Sequence, residues 1–208
     1  MPFDLWVVKV GGSLHDAPEL RRWLHALALT GGGRLVVVPG GGPFADKVRA
    51  AQKQTGFDDA TAHGMALLAM EQYGRELVRL QPGLQPASQD KELRNILDQR
   101  EVPVWMPASM ANDATDIHCD WGTSSDSLAA WLAARLGATQ LALIKSVAPR
   151  VGRWAASQLA GDGLVDRRFQ EYMRLGRFRV WWLGRDDYRR FADYINAEQR
   201  PPAEISSS

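Results

Sequence analysis

The sequence has one cysteine, almost no net charge and no long apolar run. Cys119 alone cannot form an internal disulfide, which excludes a disulfide framework and favours a reducing compartment. The 25 basic residues nearly balance the 24 acidic ones, so the net charge of +1 gives no reason to expect a nucleic acid or a membrane surface as partner. No stretch approaches the roughly 20 apolar residues of a membrane span, and residues 1–6 do not resemble a signal peptide. We therefore expect a soluble, cytoplasmic protein that acts on a small molecule.

Short apolar runs alternate with longer amphipathic segments along the 208 residues. The runs at 5–10, 34–38, 102–106, 140–144 and 178–183 predict strands, and the segments 18–30, 44–54, 59–80, 126–136 and 188–195 predict helices. In the helix over 59–80, the candidate core positions are Met65, Leu68, Met70 and Tyr73. Strands that are apolar throughout and separated by helices predict a mainly parallel sheet covered on both faces, an α/β fold of three layers. Residues 199–208 read as a frayed tail.

Two predicted strands end in glycine-rich turns that lead into helices. Gly11-Gly12-Ser13 follows the first strand, and Gly40-Gly41-Gly42 follows the second. Glycine lets a backbone approach a phosphate closely, and exposed amides at a helix start favour negative charge. Two such loops could hold two phosphate-bearing molecules at once, as phosphoryl transfer requires, although each could also be a simple turn. The sequence contains neither the Walker P-loop pattern nor the Rossmann glycine fingerprint.

Lys9 interrupts an otherwise apolar strand two residues before the first glycine loop. A buried lysine needs a partner, because an unpaired charge away from water is costly. On a central strand it is best read as a phosphate ligand, and on an edge strand as a surface residue. Ser124-Ser125-Asp126-Ser127 precedes or opens a helix, where such residues commonly cap. The Asp126 carboxylate could instead hold the Lys9 ammonium in place.

Four segments in this order resemble the amino-acid kinase family, which includes acetylglutamate kinase, bacterial uridylate kinase and isopentenyl phosphate kinase. They are VVKVGGSL at 7–14, VVVPGGGPFADKVR at 36–49, TSSDSLAAWLA at 123–133 and LALIKSV at 141–147. The resemblance implies the amino-acid kinase fold and ATP-dependent phosphoryl transfer. It also implies Mg²⁺ carried with the nucleotide, without a metal site of the protein's own, and a homo-oligomer.

The resemblance also implies roles for individual residues. Lys9 would contact the phosphoryl group in transfer, and Asp126 would hold Lys9. The implied nucleotide-binding residues are Gly11, Gly12, Ser13, Lys145 and Ser146, and the implied acceptor-binding residues are Gly40, Gly41, Gly42, Ser124 and Ser125. Residues 1–115 would then form an acceptor-binding lobe and residues 116–198 a nucleotide-binding lobe of one domain.

A resemblance to one subgroup of the family reduces the range of possible acceptors. AHGMALLAM at 62–70 and the spacing of His118, Trp121 and Asp126 are similar to kinases of methanofuran biosynthesis. Those enzymes convert the phosphate ester of 5-(aminomethyl)-3-furanmethanol to a diphosphate. Isopentenyl phosphate kinases carry a histidine just beyond the triple glycine, where this chain has Phe44-Ala45-Asp46, which argues against that acceptor.

The chain departs from the family after Val147, where Ala148-Pro149-Arg150 replaces the usual Asp-Gly turn. Either the nucleotide sits differently, helped by Arg150 or Arg153, or catalysis is impaired. The two arginines could equally be solvated surface charges, and His63 a packed helix residue. The alternatives to the methanofuran-type kinase are a nucleotide-binding sensor without turnover and a kinase for another carboxylate or phosphate monoester.

Overall fold

The computed structural model describes residues 4–149 and 151–207. Its strands are β1 Trp6–Val10, β2 Leu35–Pro39, β3 Leu84–Ala87, β4 Val102–Trp105, β5 Gln140–Ile144, β6 Gly152–Ala155, β7 Arg179–Leu183 and β8 Ala203–Ser206. Its α-helices are α1 Glu19–Thr30, α2 Gly42–Thr55, α3 Asp59–Leu80, α4 Asp90–Asp98, α5 Ala108–Asn112, α6 Ser125–Leu136, α7 Ala156–Gly161, α8 Phe169–Met173 and α9 Phe191–Ile195. Two 3₁₀ turns cover Gly12–Leu14 and Arg185–Arg190.

The strands form one eight-stranded sheet in the order β3-β4-β2-β1-β5-β7-β8-β6. The six strands from β3 to β7 pair in parallel, β8 pairs antiparallel with β7, and β6 pairs in parallel with β8. The prediction of a mainly parallel α/β sheet is therefore confirmed.

Strand β1 lies at the centre of the sheet, between β2 and β5. Its side chains alternate between the two faces, so Val7 belongs to the apolar core under α6 and Val8 to the core under α1. Lys9 shares the face of Val7, and it is level with Val38 of β2 and Leu143 of β5. The carboxyl ends of these three parallel strands meet at one edge of the sheet, where open α/β folds bind their ligands.

Several predictions from sequence were wrong. The expected frayed tail contains β8, whose pairing with both β6 and β7 fixes residues 203–206 in the sheet. Met65 and Leu68 lie on the solvent side of α3, whereas Met70 and Tyr73 are in the core as predicted. The helix expected over 188–195 is split into a 3₁₀ turn ending at Arg190 and the short helix α9. None of the helices in the described part of the chain combines the length and apolar character of a membrane span.

Candidate active site

A carboxylate and two ammonium groups meet at the carboxyl edge of the sheet. Asp126 Oδ1 lies 2.9 Å from Lys9 Nζ, and Asp126 Oδ2 accepts a hydrogen bond of 2.5 Å from Lys145 Nζ. Lys9 comes from β1, Asp126 from the first turn of α6, and Lys145 from the residue after β5. The three side chains are 7%, 5% and 14% exposed, so the ion pairs are shielded from water. This Lys9–Asp126–Lys145 cluster carries a net charge of +1 when all three groups are ionised.

The pKa values of Asp126 and Lys145 are strongly shifted within the cluster. Burial alone would raise the pKa of Asp126, but the two neighbouring ammonium groups lower it to about 2. Burial lowers the pKa of Lys145 to about 8, because the attraction of Asp126 does not fully offset desolvation and the repulsion of Lys9. At neutral pH Asp126 is thus ionised and Lys145 still holds its proton. The cluster thus holds net positive charge at the carboxyl edge of the sheet.

Asp166 fixes the start of α6 and was not predicted from the sequence. Its Oδ2 accepts hydrogen bonds from the Ser124 amide at 2.9 Å, the Ser124 hydroxyl at 2.8 Å and the Ser127 amide at 3.0 Å. Its Oδ1 accepts one from the Ser127 hydroxyl. Burial and the nearby charge of Asp126 raise the pKa of Asp166, and the serine hydrogen bonds oppose them. Asp166 thus acts as a cap from outside the helix, and it orients the turn that carries Asp126.

The two glycine loops pack directly against each other. A Cβ atom on Gly12 would overlap the backbone nitrogen of Gly42, so neither loop could keep this position with a larger residue at 12. The Gly11 amide donates to Ile144 O at 3.0 Å, and the Gly40 amide donates to Val10 O at 2.8 Å. These two amides therefore tie the loops to the sheet and are not free for a ligand. Gly42 has φ of +54°, a backbone conformation that favours glycine.

A cavity of about 430 Å³ opens beside the loops. Gly12, Ser13, Gly41 and Gly42 line one part of it, Ser124 and Ser125 another, and the α3 residues His63, Ala66, Leu67 and Met70 a third. The starts of α2 and α6 both border this space, and the first amides of a helix have no partner within the helix. At α6 the Ser124 and Ser127 amides are already bound to Asp166, so the start of α2 is the better place for an anionic ligand.

The structure separates the predicted site residues into two groups. Gly12, Ser13, Gly41, Gly42, Ser124 and Ser125 line the cavity, whereas Gly11 and Gly40 sit behind it in the loop contacts just described. Lys145, expected to face the nucleotide, is bound to Asp126. Ser146 follows it, and its carbonyl accepts a 2.8 Å hydrogen bond from Arg185. The order of the motifs alone does not predict the contact between Lys145 and Asp126. That contact could be predicted only if the pairing of β1 with β5 were already known.

Arg150 and Arg153 were suggested to help bind the nucleotide at the altered turn, and the structure describes only Arg153. Arg153 on β6 has a 69% exposed side chain and lies 3.5 Å from Glu204, so it is a surface charge. Arg150 lies outside the described residues. The neighbouring Val147 carbonyl accepts a 3.1 Å hydrogen bond from Trp182 Nε1, which ties the turn to β7.

No cluster of three or more His, Cys, Asp or Glu side chains suited to a metal ion occurs within residues 4–149 and 151–207. Asp126, the carboxylate of the cluster, already has one ammonium group at each of its oxygens. The residues present therefore do not fit a magnesium ion held by the protein alone.

Comparisons with known proteins agree with this architecture. The model of the "Amino acid kinase family" matches residues 4–149. A "[5-(aminomethyl)furan-3-yl]methyl phosphate kinase" of Methanocaldococcus jannaschii is 26% identical over 143 residues, which are 68% of this chain and 65% of that protein. The chain thus matches slightly less than two thirds of the length of this curated relative.

Solved structures share the fold at low identity. A uridylate kinase from Archaeoglobus fulgidus superposes with a TM-score of 0.70 at 14% identity, over 97% of this chain and all of that one. A UMP kinase from Bacillus anthracis gives a TM-score of 0.69 at 13% identity, over 100% of this chain and 98% of that one. At these identities the likeness concerns the fold alone.

Proposed function

Since the chain belongs to the amino acid kinase family, we propose that it transfers the γ-phosphoryl group of ATP to a small acceptor that already bears a phosphate. The observation that carries this proposal is the buried Lys9–Asp126–Lys145 cluster at the carboxyl edge of the sheet; Ser125, the neighbour of Asp126, lines the cavity that the two glycine loops border. Transfer between two phosphates needs positive charge between them and backbone amides around them, and little else from the protein. Both features are present in the described part of the chain.

In this proposal Lys9 stabilises the negative charge on the moving phosphoryl group, and Lys145 adds a second positive charge from the other side of Asp126. Asp126 orients both ammonium groups, and its charge opposes the loss of the Lys145 proton. It is not a general base, because its pKa of about 2 leaves it unable to hold a proton near neutral pH. A phosphate monoester needs no base, since its second ionisation has a pKa of about 6. Mg²⁺ would accompany the nucleotide and neutralise part of its charge.

The cavity suits the acceptor better than the nucleotide. Its lining includes the start of α2 and four residues of α3, elements of the half assigned to the acceptor, and it also reaches across to α6. The nucleotide would then lie on the side of β5 and β7, next to Lys145 and Ser146. The acceptor and the nucleotide would meet at Gly12, because its backbone touches Gly42 of the other glycine loop.

The proposed acceptor is [5-(aminomethyl)furan-3-yl]methyl phosphate, and the product is the corresponding diphosphate. The support is the Methanocaldococcus jannaschii relative with this activity in its name and a cavity of suitable size for a substituted furan, about 430 Å³. A nucleotide-binding sensor of the same fold is the alternative, favoured by the Ala148-Pro149-Arg150 turn that replaces Asp-Gly.

The test is an ADP-release assay with Mg·ATP and a panel of acceptors, with phosphorus NMR of the product. The panel contains the furan ester, its dephosphorylated alcohol, uridine monophosphate, isopentenyl phosphate and N-acetylglutamate. We expect turnover with the furan ester alone and the NMR signals of a diphosphate ester. Turnover with a carboxylate acceptor would contradict the phosphate-acceptor proposal, and ATP binding without turnover on any acceptor would favour the sensor.

A further inference from the structure

Two buried polar side chains that line the cavity lack a partner. His63 Nε2 and Thr123 Oγ1 accept or donate no hydrogen bond among the residues that the structure describes. His63 is 6% exposed and Thr123 is 4% exposed, so water does not readily compensate. An unpartnered buried polar group typically costs about 1–3 kcal/mol, and the great majority of such groups are paired. Two of them in one cavity therefore point to a ligand that completes them.

These two side chains come from separate elements that both line the cavity. His63 belongs to the second turn of α3, and Thr123 belongs to the loop before α6. Gly41 and Gly42 line the same cavity. An acceptor with its phosphate at the glycine loops would thus share the cavity with His63 and Thr123.

Each cation that the structure describes near this part of the cavity is already paired with a carboxylate, so little net charge opposes an ammonium group. Burial lowers the pKa of His63, while the charge of Asp120 opposes the shift, so the imidazole is neutral near pH 7. The Asp120 carboxylate is itself held 2.6 Å from the Arg168 guanidinium. The Arg49 guanidinium, a cation of the lining, is already held 3.0 Å from Asp46 and lies 4.5 Å from the centre of the Trp121 ring.

We propose that His63 and Thr123 form a binding site for a protonated primary amine at the far end of the acceptor. The ammonium group donates one hydrogen bond to His63 Nε2, in the tautomer protonated at Nδ1, and one to Thr123 Oγ1. An ammonium group has three donors and no acceptor, which matches two neutral acceptors that lack a partner within the described residues. This inference rests on the proposed function, since it identifies what holds the aminomethyl end of that acceptor.

The experiment compares two acceptors by isothermal titration calorimetry, so that it does not depend on turnover. One is [5-(aminomethyl)furan-3-yl]methyl phosphate, and the other is the 5-methyl analogue, in which hydrogen replaces the amino group. We expect the amine to bind about 10- to 100-fold more tightly, as hydrogen bonds to a charged group imply. Thr123→Val and His63→Phe should each remove most of that preference and change the Kd of the 5-methyl analogue less than about threefold. Thr115→Val, the same change at an exposed threonine, is the matched control.

Thermal unfolding of the free protein gives an independent readout. Thr123→Val removes a buried hydroxyl that has no partner within the described residues, so it should leave Tm unchanged or raise it. A clear decrease in Tm would mean that Thr123 is satisfied within the protein, which would overturn the inference.

The inference would also be overturned if the wild type bound the two esters with equal affinity. The same holds if the variants bound both esters more weakly by the same factor. If the amine preference is present and no acceptor is phosphorylated, the amine site holds and the proposed function fails. If the furan ester turns over without any amine preference, the proposed function holds and the amine site fails.

Discussion

Replacing Asp126 by asparagine should destabilise the protein in a pH-dependent way. The substitution would leave two ammonium groups, those of Lys9 and Lys145, buried side by side without a counter-charge. Removing one partner of a buried ion pair typically costs about 3–5 kcal/mol. The depressed pKa of Asp126, about 2 against an ordinary value of 3.8, independently corresponds to about 2 kcal/mol at neutral pH. We therefore expect the free energy of unfolding to fall by about 3 kcal/mol or more at pH 6.

The pH dependence follows from Lys145. In the wild type its folded pKa of about 8 lies below the unfolded value of 10.5, so its charged form destabilises the fold below about pH 8 and this penalty is relieved as the pH rises. Without Asp126 the pKa of Lys145 falls further, so the variant sheds the proton at a lower pH than the wild type. The stability difference between wild type and variant should therefore be smaller at pH 8 than at pH 6.

Urea unfolding at pH 6 and pH 8 measures both effects, with Asp98→Asn at an exposed position as the matched control. The control should change stability by no more than about 0.5 kcal/mol. A loss below about 1 kcal/mol for Asp126→Asn, or a difference that grows from pH 6 to pH 8, would refute this account of the cluster.

Two further substitutions test the parts around the cluster. Asp166→Asn should lower kcat by about 10- to 100-fold through a displaced α6 start, and it should shift the alkaline limb of the kcat–pH profile to lower pH, because the charge of Asp166 supports protonation of Lys145. An unmoved limb would contradict that coupling. Gly12→Ala should raise KM for ATP and for the acceptor by at least about tenfold, since its Cβ overlaps the Gly42 backbone and forces the loops apart. Gly161→Ala, where a Cβ has open space, should leave both constants unchanged.

The parts of the fold that follow from local pattern were predictable. The strands β1, β2, β4, β5 and β7 are apolar runs, and their burial on both faces of a parallel sheet makes them visible in the sequence. Strand β6, with the sequence GRWA, and strand β8, with AEIS, are only four residues long and partly exposed, so they lack that signal. They form because each supplies the other with a hydrogen-bonding edge at a distance of about fifty residues along the chain.

The residues of the site also divide into those that local sequence predicts and those that depend on the folded chain. Lys9 and Asp126 belong to recognisable motifs, and a lysine inside an apolar strand already requires a buried counter-charge. The third member, Lys145, depends on the pairing of β1 with β5, which no local pattern determines. Asp166 lies 39 residues from Ser127, in a loop without a motif, and gains its role only when the chain closes on α6. His63 reads as an ordinary helix residue until the cavity beside it is known.

The measurement that tests the central claim most directly is acceptor-dependent ADP release by wild type and Lys9→Ala with the furan phosphate ester. We predict turnover by the wild type and a loss of at least about 100-fold in kcat for Lys9→Ala, as for removal of a group that stabilises transition-state charge. Lys91→Ala, at an exposed lysine of α4, is the matched control and should keep wild-type activity. A Lys9→Ala protein that folds and retains activity within about tenfold of the wild type would contradict the assignment of phosphoryl transfer to this cluster.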